Sequence, residues 1–392
     1  MTQKANNSHS YSFETGLIHG GVDGDPRTGA VSVPIYQTST FAQDGLGSTR
    51  AGYEYSRSGN PTREALEKLI AELEGGRDGF AFASGLAAIT TVLFLFNAGD
   101  RILISNNVYG GTFRLLDKVF LRFGLQYSVV DTSDLAAVEA ALTPDVRAVL
   151  IETPANPLLT ITDIEAISAL VREKGILTIV DNTFMTPYLQ RPLLLGADIV
   201  VHSATKYLAG HSDVIAGLAV TKDPEIASRL GFLQNAVGAI LQPWDSWLTI
   251  RGIKTLSVRL DRHIANAIAV ADFLRDHQAA NAVYFPGFED FPGHDVHARQ
   301  AKGPGAMISF LLNPEYDIEM FFKNTGIIVL AESLGGVESL INQPSSMTHA
   351  SIPEAIRNKV GISDRLIRIS IGIEDKDDIL SSLAAAFEAA KK

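Results

Sequence analysis

The sequence predicts an α/β protein: a large domain on a mixed, mostly parallel sheet, followed by a smaller α+β domain at the C-terminus. Three observations lead there. Short branched-aliphatic runs without polar alternation, "RILIS" (101–105), "AVLIE" (148–152), "LTIVD" (177–181) and "DIVVHS" (198–203), read as strands covered on both faces. Stretches of helical spacing such as "DIEAISALVREKG" (163–175) separate them. The 392 residues, 46% of them hydrophobic, exceed what one core usually holds and supply enough apolar surface for two.

Taken in order, residues 1–60 show no strong period and carry the turn-formers of "HGGVDGDPRTGA", so they are expected to form an extended arm packed on a neighbouring subunit. Residues 61–250 are assigned to the large domain. "NPTREALEKLIAELEGG" opens it as a helix that starts at Pro61, the favoured first-turn position, and stops at paired glycines. "FAFASGLAAITTVLFLFNAG" (80–99) is uncharged and about long enough to span a membrane. Its small and β-branched residues and Gly85 make it a helix buried inside the domain instead. "VIAGLAVT" (214–221) follows "DIVVHS" too closely for a crossover helix, so it should return antiparallel.

Residues 251–392 are assigned to the smaller domain. In "RGIKTLSVRLDRHIANAIAVADFLRDH", Ile253, Leu256, Leu260, Ile264, Ala267, Ala271 and Leu274 share one helical face, long enough to bridge the domains. "GAMISFLL" and "LIRISIGIE" read as strands, and in the second the isoleucines alternate with Arg368, Ser370 and Gly372, which puts Arg368 on the face opposite the core.

Composition excludes several classes of function. A net charge of -11 without a run of Lys or Arg argues against nucleic acid as a partner. The absence of cysteine removes disulfides, thiol nucleophiles, Cys-ligated zinc and iron-sulfur clusters. His294 and His297 in "GHDVH" have no metal-site context, and no metal is expected. The polar "MTQKANNSHS" lacks the apolar core of a signal peptide, so a cytoplasmic protein without membrane association is expected. Neither a G-x-x-x-x-G-K-[ST] loop nor a G-x-S-x-G elbow occurs.

In parallel sheets ligands bind beyond the carboxyl ends of the strands, where Tyr109, Glu152, Asn156, Asp181 and residues 202–206 fall. Lys206 follows Ser203 and Thr205 at a strand-to-loop junction. A lysine at a strand end is ordinarily surface charge, but burial would lower its pKa and leave a free amine able to form a Schiff base. Asp181 is either a helix N-cap or the partner of a protonated pyridine nitrogen. Ser84, Gly85 and Leu86 at a helix start can hold a phosphate. Tyr109 beside two glycines is a loop aromatic or a ring that stacks on a flat cofactor, and Arg368 a surface ion-pair residue or a clamp for a carboxylate. Each has an ordinary explanation alone. Together they are the parts needed for pyridoxal phosphate acting on an amino acid.

The motifs "VPIYQTSTF", "YEYSRSGNPTR", "ASGLAAI", "VYGGT", "ETPANP", "VDNTF", "HSATKYLAGHSD", "AESLGGVESL" and "RISIGIED" occur in this order from about Thr15 to the C-terminal helix. On them the sequence resembles the Cys/Met-metabolism pyridoxal-phosphate enzymes, which include cystathionine γ-synthase, cystathionine β- and γ-lyases and methionine γ-lyase. The resemblance implies the aspartate-aminotransferase-like architecture, fold type I. It implies Lys206 as Schiff-base lysine and proton shuttle, Asp181 on the pyridine nitrogen, Tyr109 stacked on the ring, and Asn156 near the ring hydroxyl. It implies a phosphate held by Gly85, Leu86, Ser203 and Thr205, with Tyr55 and Arg57 reaching in from a neighbouring subunit, and hence a homo-oligomer, a tetramer built as a dimer of dimers. Arg368 would bind the substrate carboxylate with Ser333 and Asn156, and Glu332 the distal amino group of a long substrate. Methionine γ-lyases carry a cysteine two residues after the stacking tyrosine, where this chain has Gly111. Stretches such as "LIHGG", "SLINQPSSMTHASIP" and "GIEDKDD" look most like bacterial cystathionine lyases. The implied reaction is cleavage of a carbon–sulfur bond of L-cystathionine in transsulfuration, with cysteine or homocysteine desulfhydration as a further activity. γ-Replacement on an O-acyl-L-homoserine is the alternative.

Overall fold

The computed structural model describes residues 11–21, 24–348, 350, 354, 357 and 360–392. The polar "MTQKANNSHS" and part of "SLINQPSSMTHASIP" lie outside the described residues.

The N-terminal segment begins with a helix that its sequence did not advertise: Phe13–His19 (α1) buries the single residue Leu17 and packs against Pro61–Glu74 (α2). One buried residue in seven leaves no period to read. A small antiparallel hairpin, Gln43–Gly45 (β1) with Ser48–Thr49 (β2), stands between them. The Asn60 side chain caps α2 by accepting from the amides of Thr62 and Arg63, and Gly75 ends the helix at φ 70°, a left-handed conformation that suits glycine.

The main sheet consists of Asp78–Phe82 (β3), Arg101–Ser105 (β4), Gln126–Val130 (β5), Val146–Glu152 (β6), Leu177–Asp181 (β7), Ile199–Ser203 (β8) and Gly217–Thr221 (β9). Its spatial order is β3-β9-β8-β7-β6-β4-β5, parallel except for β9, which runs antiparallel to both neighbours. "VIAGLAVT" therefore returns antiparallel, as its short connection requires. From β4 the chain steps outward to β5 and then back across β4 to β6, so the winding reverses between β4 and β6. A crevice opens at such a reversal.

Helices cover both faces. Gly85–Leu93 (α3), Gly110–Lys118 (α4) and Pro224–Val237 (α8) bury Ile89, Leu116 and Leu230 on one face; α2 and Ile164–Arg172 (α6) bury Leu66, Leu69, Ile164 and Val171 on the other. Between α4 and α8 the chain also forms Leu135–Ala140 (α5) and Thr186–Leu189 (α7). The uncharged stretch 80–99 is thus the end of β3 followed by a nine-residue helix, and among the described residues no helix is long and apolar enough to cross a membrane.

The stretch 251–277 is not one helix. Pro243–Ile253 (α9) stops and Leu256–Asp276 (α10) restarts after Lys254 and Thr255. Gly252 explains the break: a Cβ there would lie 2.2 Å from Ala209 O, so the end of α9 is pressed against the turn that follows Lys206. Along one face of α10, Arg259 donates to Tyr207 O at 2.8 Å and to Gly252 O at 2.7 Å, and His263 Nδ1 donates to Ile371 O at 2.6 Å. Asn266 donates to Gly372 O and Glu374 O at 3.0 and 2.9 Å. Burial lowers the His263 pKa to about 4, which keeps this ring neutral.

The second sheet joins Ala280–Tyr284 (β10), Met307–Leu312 (β11), Val329–Leu330 (β12), Leu340–Asn342 (β13) and Leu366–Ser370 (β14) in the order β10-β11-β14-β13-β12, mostly antiparallel. The C-terminal helix Lys376–Ala390 places Ile379, Leu383 and Phe387 in the same core as the inner residues of β11 and β14. Arg368 sits at the middle of the central strand, β14.

Candidate active site

The carboxyl ends of β4, β6, β7 and β8 open into a cavity of about 260 Å³, closed on its other side by the segment from Glu332 to Leu334 and by Arg368. Of the residues singled out in the sequence, Gly85, Leu86, Tyr109, Asn156, Asp181, Ser203, Thr205, Lys206, Glu332, Ser333 and Arg368 all line it. Tyr55 and Arg57 do not. They stand on the exposed side of the N-terminal segment, where Arg57 lies over the Tyr55 ring and donates to Asn235.

Lys206 lies on the turn after β8, with its amine donating to Ser333 Oγ at 2.7 Å. Burial first, and the neighbouring Arg368 second, lower its pKa from 10.5 to about 8, against an opposing pull from Glu332. The amine is therefore far more nucleophilic near neutral pH than a surface lysine. Asp181 ends β7 and accepts from the Thr183 amide at 3.0 Å and the Thr183 hydroxyl at 2.5 Å. Burial raises its pKa, with the Thr183 hydrogen bonds and His202 opposing. A desolvated carboxylate in that condition favours a further cation beside it.

Ser84 caps α3 through its side chain, which accepts from the Ala87 amide at 3.0 Å. The first amides of the helix, at Gly85 and Leu86, have no intrahelical carbonyl to bond. The start of the helix packs against Ser203, so closely that a Cβ on Gly85 would lie 2.8 Å from Ser203 Cβ. Thr205 Oγ1 donates to Ala216 O at 3.2 Å and accepts from the Ala216 amide at 3.0 Å. Amides at a helix start beside two hydroxyls form an anion cradle.

Across the cavity Arg368 is 2% exposed and donates to Asn156 Oδ1 at 2.7 Å and to Ser333 O at 3.0 Å. Burial lowers its pKa to about 10, which leaves it cationic at neutral pH. Its Nε meets no partner among the described residues. Ser333 has φ 89°, a left-handed conformation that costs a non-glycine residue about 1–3 kcal/mol. It is this conformation that holds the hydroxyl toward Lys206 while the carbonyl faces Arg368.

Two residues of the site escaped the sequence reading. Thr183 braces Asp181 and also accepts from the Ser203 amide at 2.8 Å, linking β7 to β8. Its signal was the hydroxyl two places after the aspartate in "VDNTF". Glu152 carries no sequence signal beyond its place at a strand end; its carboxylate accepts from the amides of Tyr109 at 2.8 Å and Asn156 at 3.1 Å.

Fold and cavity together are those of an α/β enzyme, with a lysine of lowered basicity and a buried guanidinium facing one ligand-sized cavity at the carboxyl ends of its strands. The chain belongs to the Cys/Met metabolism PLP-dependent enzyme family, whose model matches residues 14–388. It is 56% identical over 377 residues to the cystathionine β-lyase of Lactococcus lactis subsp. cremoris, covering 96% of this chain and 99% of that one. It is 52% identical over 375 residues to the cystathionine γ-lyase of Bacillus subtilis, with the same coverage. Among solved structures, the cystathionine γ-lyase of Lactobacillus plantarum complexed with L-serine superposes with a TM-score of 0.95 at 54% identity, over 97% of this chain and 99% of that one. The protein is a pyridoxal-phosphate-dependent enzyme of fold type I, as its motifs imply.

Proposed function

We propose that the chain cleaves a carbon–sulfur bond of L-cystathionine, releasing homocysteine, pyruvate and ammonia by β-elimination or cysteine, 2-oxobutanoate and ammonia by γ-elimination. One observation carries the reading: an amine of lowered pKa, a carboxylate of raised pKa and a buried guanidinium face one cavity in a chain more than half identical to two cystathionine lyases.

The residues fit the cofactor. Asp181 is a desolvated carboxylate that would favour a protonated pyridine nitrogen beside it, and the cradle of Gly85, Leu86, Ser203 and Thr205 suits a phosphate. Pyridoxal phosphate, when bound, supplies the electron sink that makes a substrate α-proton removable. Lys206 then takes and returns protons through its amine, held in reach by Ser333 Oγ. Arg368 grips the substrate α-carboxylate, with Asn156 and Ser333 fixing the guanidinium plane. Tyr109 would stack on the ring, and Glu332 would meet the distal ammonium of a long substrate; both line the cavity.

Tyr55 and Arg57 lie outside their own chain's cavity, and we assign them to the phosphate of a neighbouring subunit, in a tetramer of paired dimers. Supporting this, Tyr55 is 45% exposed and Trp244, Val31 and Leu46 are also exposed, apolar surface that a partner would cover. The cytoplasm suits a chain without cysteine. Product analysis with L-cystathionine tests the function: pyruvate or 2-oxobutanoate in step with thiol supports it. Net synthesis of cystathionine from an O-acyl-L-homoserine and cysteine, without keto acid, would overturn it in favour of γ-replacement.

A further inference from the structure

Glu152 is the one carboxylate of the cavity to which the proposed reaction gives no task. It ends β6, at the point where the sheet reverses its winding, and is 7% exposed. Each of its oxygens accepts one backbone amide, that of Tyr109 after β4 and that of Asn156 after β6. In the sheet register it pairs with Asp181, so the two carboxylates project from neighbouring strands on the same face. Burial, and then the Asp181 charge, raise its pKa, while the two amides and Arg368 pull it back.

We infer that Glu152 is a positioning residue, which fixes the Tyr109 ring and the Asn156 side chain relative to each other at the cofactor site by tying both backbones to a single carboxylate. Tyr109 needs such a tie. It is the N-cap of α4 without a side-chain cap, and its ring is 39% exposed, so packing alone does not fix it. Asn156 in turn receives Arg368 at 2.7 Å, so the same carboxylate lies one bond away from the substrate clamp.

The chemistry requires glutamate. Two amide donors need two acceptors on one side chain; glutamine offers a single oxygen and would set its amino group against one of the N–H groups. Aspartate is one methylene too short to span both.

The test uses the holoenzyme of Glu152→Gln and reads the cofactor, not turnover. The visible circular dichroism of bound cofactor reports how asymmetrically its surroundings hold it, and dialysis reports how fast it leaves. We expect the dichroic band per bound cofactor to fall by about half or more, and cofactor loss to accelerate about tenfold, the factor that about 1.4 kcal/mol gives. Thermal unfolding of the cofactor-free protein should shift by a few degrees at most. An unchanged band with unchanged retention overturns the inference, and so does a lower melting temperature with an unchanged band, the mark of a merely structural role. Should Glu152→Gln fail to fold, hydrogen exchange on the unaltered holoenzyme decides: slow exchange at the Tyr109 and Asn156 amides supports the tie, and exchange at the rate of an open loop refutes it.

Discussion

Gly85→Ala adds one methyl group where α3 meets the end of β8. The new Cβ would stand 2.8 Å from Ser203 Cβ, 3.0 Å from Ser203 Cα and 3.1 Å from Ser203 Oγ, whereas ordinary contact begins near 3.4 Å. Ser203 cannot retreat: it is paired with Gly217 in the β8–β9 ladder, and its amide donates to Thr183 Oγ1 at 2.8 Å. Neither can the helix slide sideways over β9, because the Gly217 position already faces Ser84 O too closely for any Cβ. The start of α3 must therefore lift away by about half an ångström, taking the Gly85 and Leu86 amides off the phosphate position. Overpacking of this kind costs about 1–3 kcal/mol. If that cost falls on the cradle, affinity for pyridoxal phosphate drops about 5- to 150-fold. Equilibrium titration of cofactor-free protein, followed by tyrosine and tryptophan fluorescence, measures it. A dissociation constant within twofold of the unaltered protein's would refute the reasoning, whatever happened to the melting temperature.

Four further outcomes are expected. Cofactor capture by cofactor-free protein should accelerate as pH rises through about 8, because only the neutral Lys206 amine attacks an aldehyde and burial has brought its pKa down to that value; a midpoint near 10.5 in stopped-flow absorbance would contradict it. Arg368→Met should lower kcat/KM for cystathionine by a factor equivalent to about 2–5 kcal/mol, chiefly through KM, since it removes the buried cation proposed to pair with the substrate carboxylate; steady-state kinetics with keto-acid detection checks this. Gly111→Cys should displace the Tyr109 ring, whose Cε1 lies 2.4 Å from where the new Cβ would sit, and lower kcat about tenfold or more. Mixing inactive Arg57→Ala and Lys206→Ala subunits should regain activity if sites are shared between chains, because one site in the hybrid dimer is then intact; no recovery after verified subunit exchange would count against shared sites.

Much of the site could be read because its parts lie at the ends of apolar runs, where a change from branched aliphatic to polar residues marks the sheet's edge. Asp181, Ser203 and Lys206 are legible that way, and Pro61 and the paired glycines announce both ends of α2. What stayed hidden depends on contacts between distant segments. The break between α9 and α10 arises because Gly252 meets Ala209 across the fold, and the helical period of 251–277 runs through it unaltered. The task of Glu152 exists only because β4 and β6 are neighbours, although β5 lies between them in sequence. Ser333 reaches Lys206 across 127 positions and through a left-handed backbone, and nothing in "AESLGG" signals that conformation at a serine.

The polar face of α10 bears on the site from outside it. From Arg259 to Asn266 the helix rises about 10 Å, at about 1.5 Å per residue. One end grips the carbonyls just after Lys206, the other those just after Arg368. The turn that carries Lys206 and the segment that leaves the Arg368 strand are thereby tied to one helix, so the relative placement of amine and guanidinium depends on α10. Arg259, His263 and Asn266 stand outside the cavity lining, so a change on this face of α10 would reach a bound substrate only by shifting the segments that carry Lys206 and Arg368.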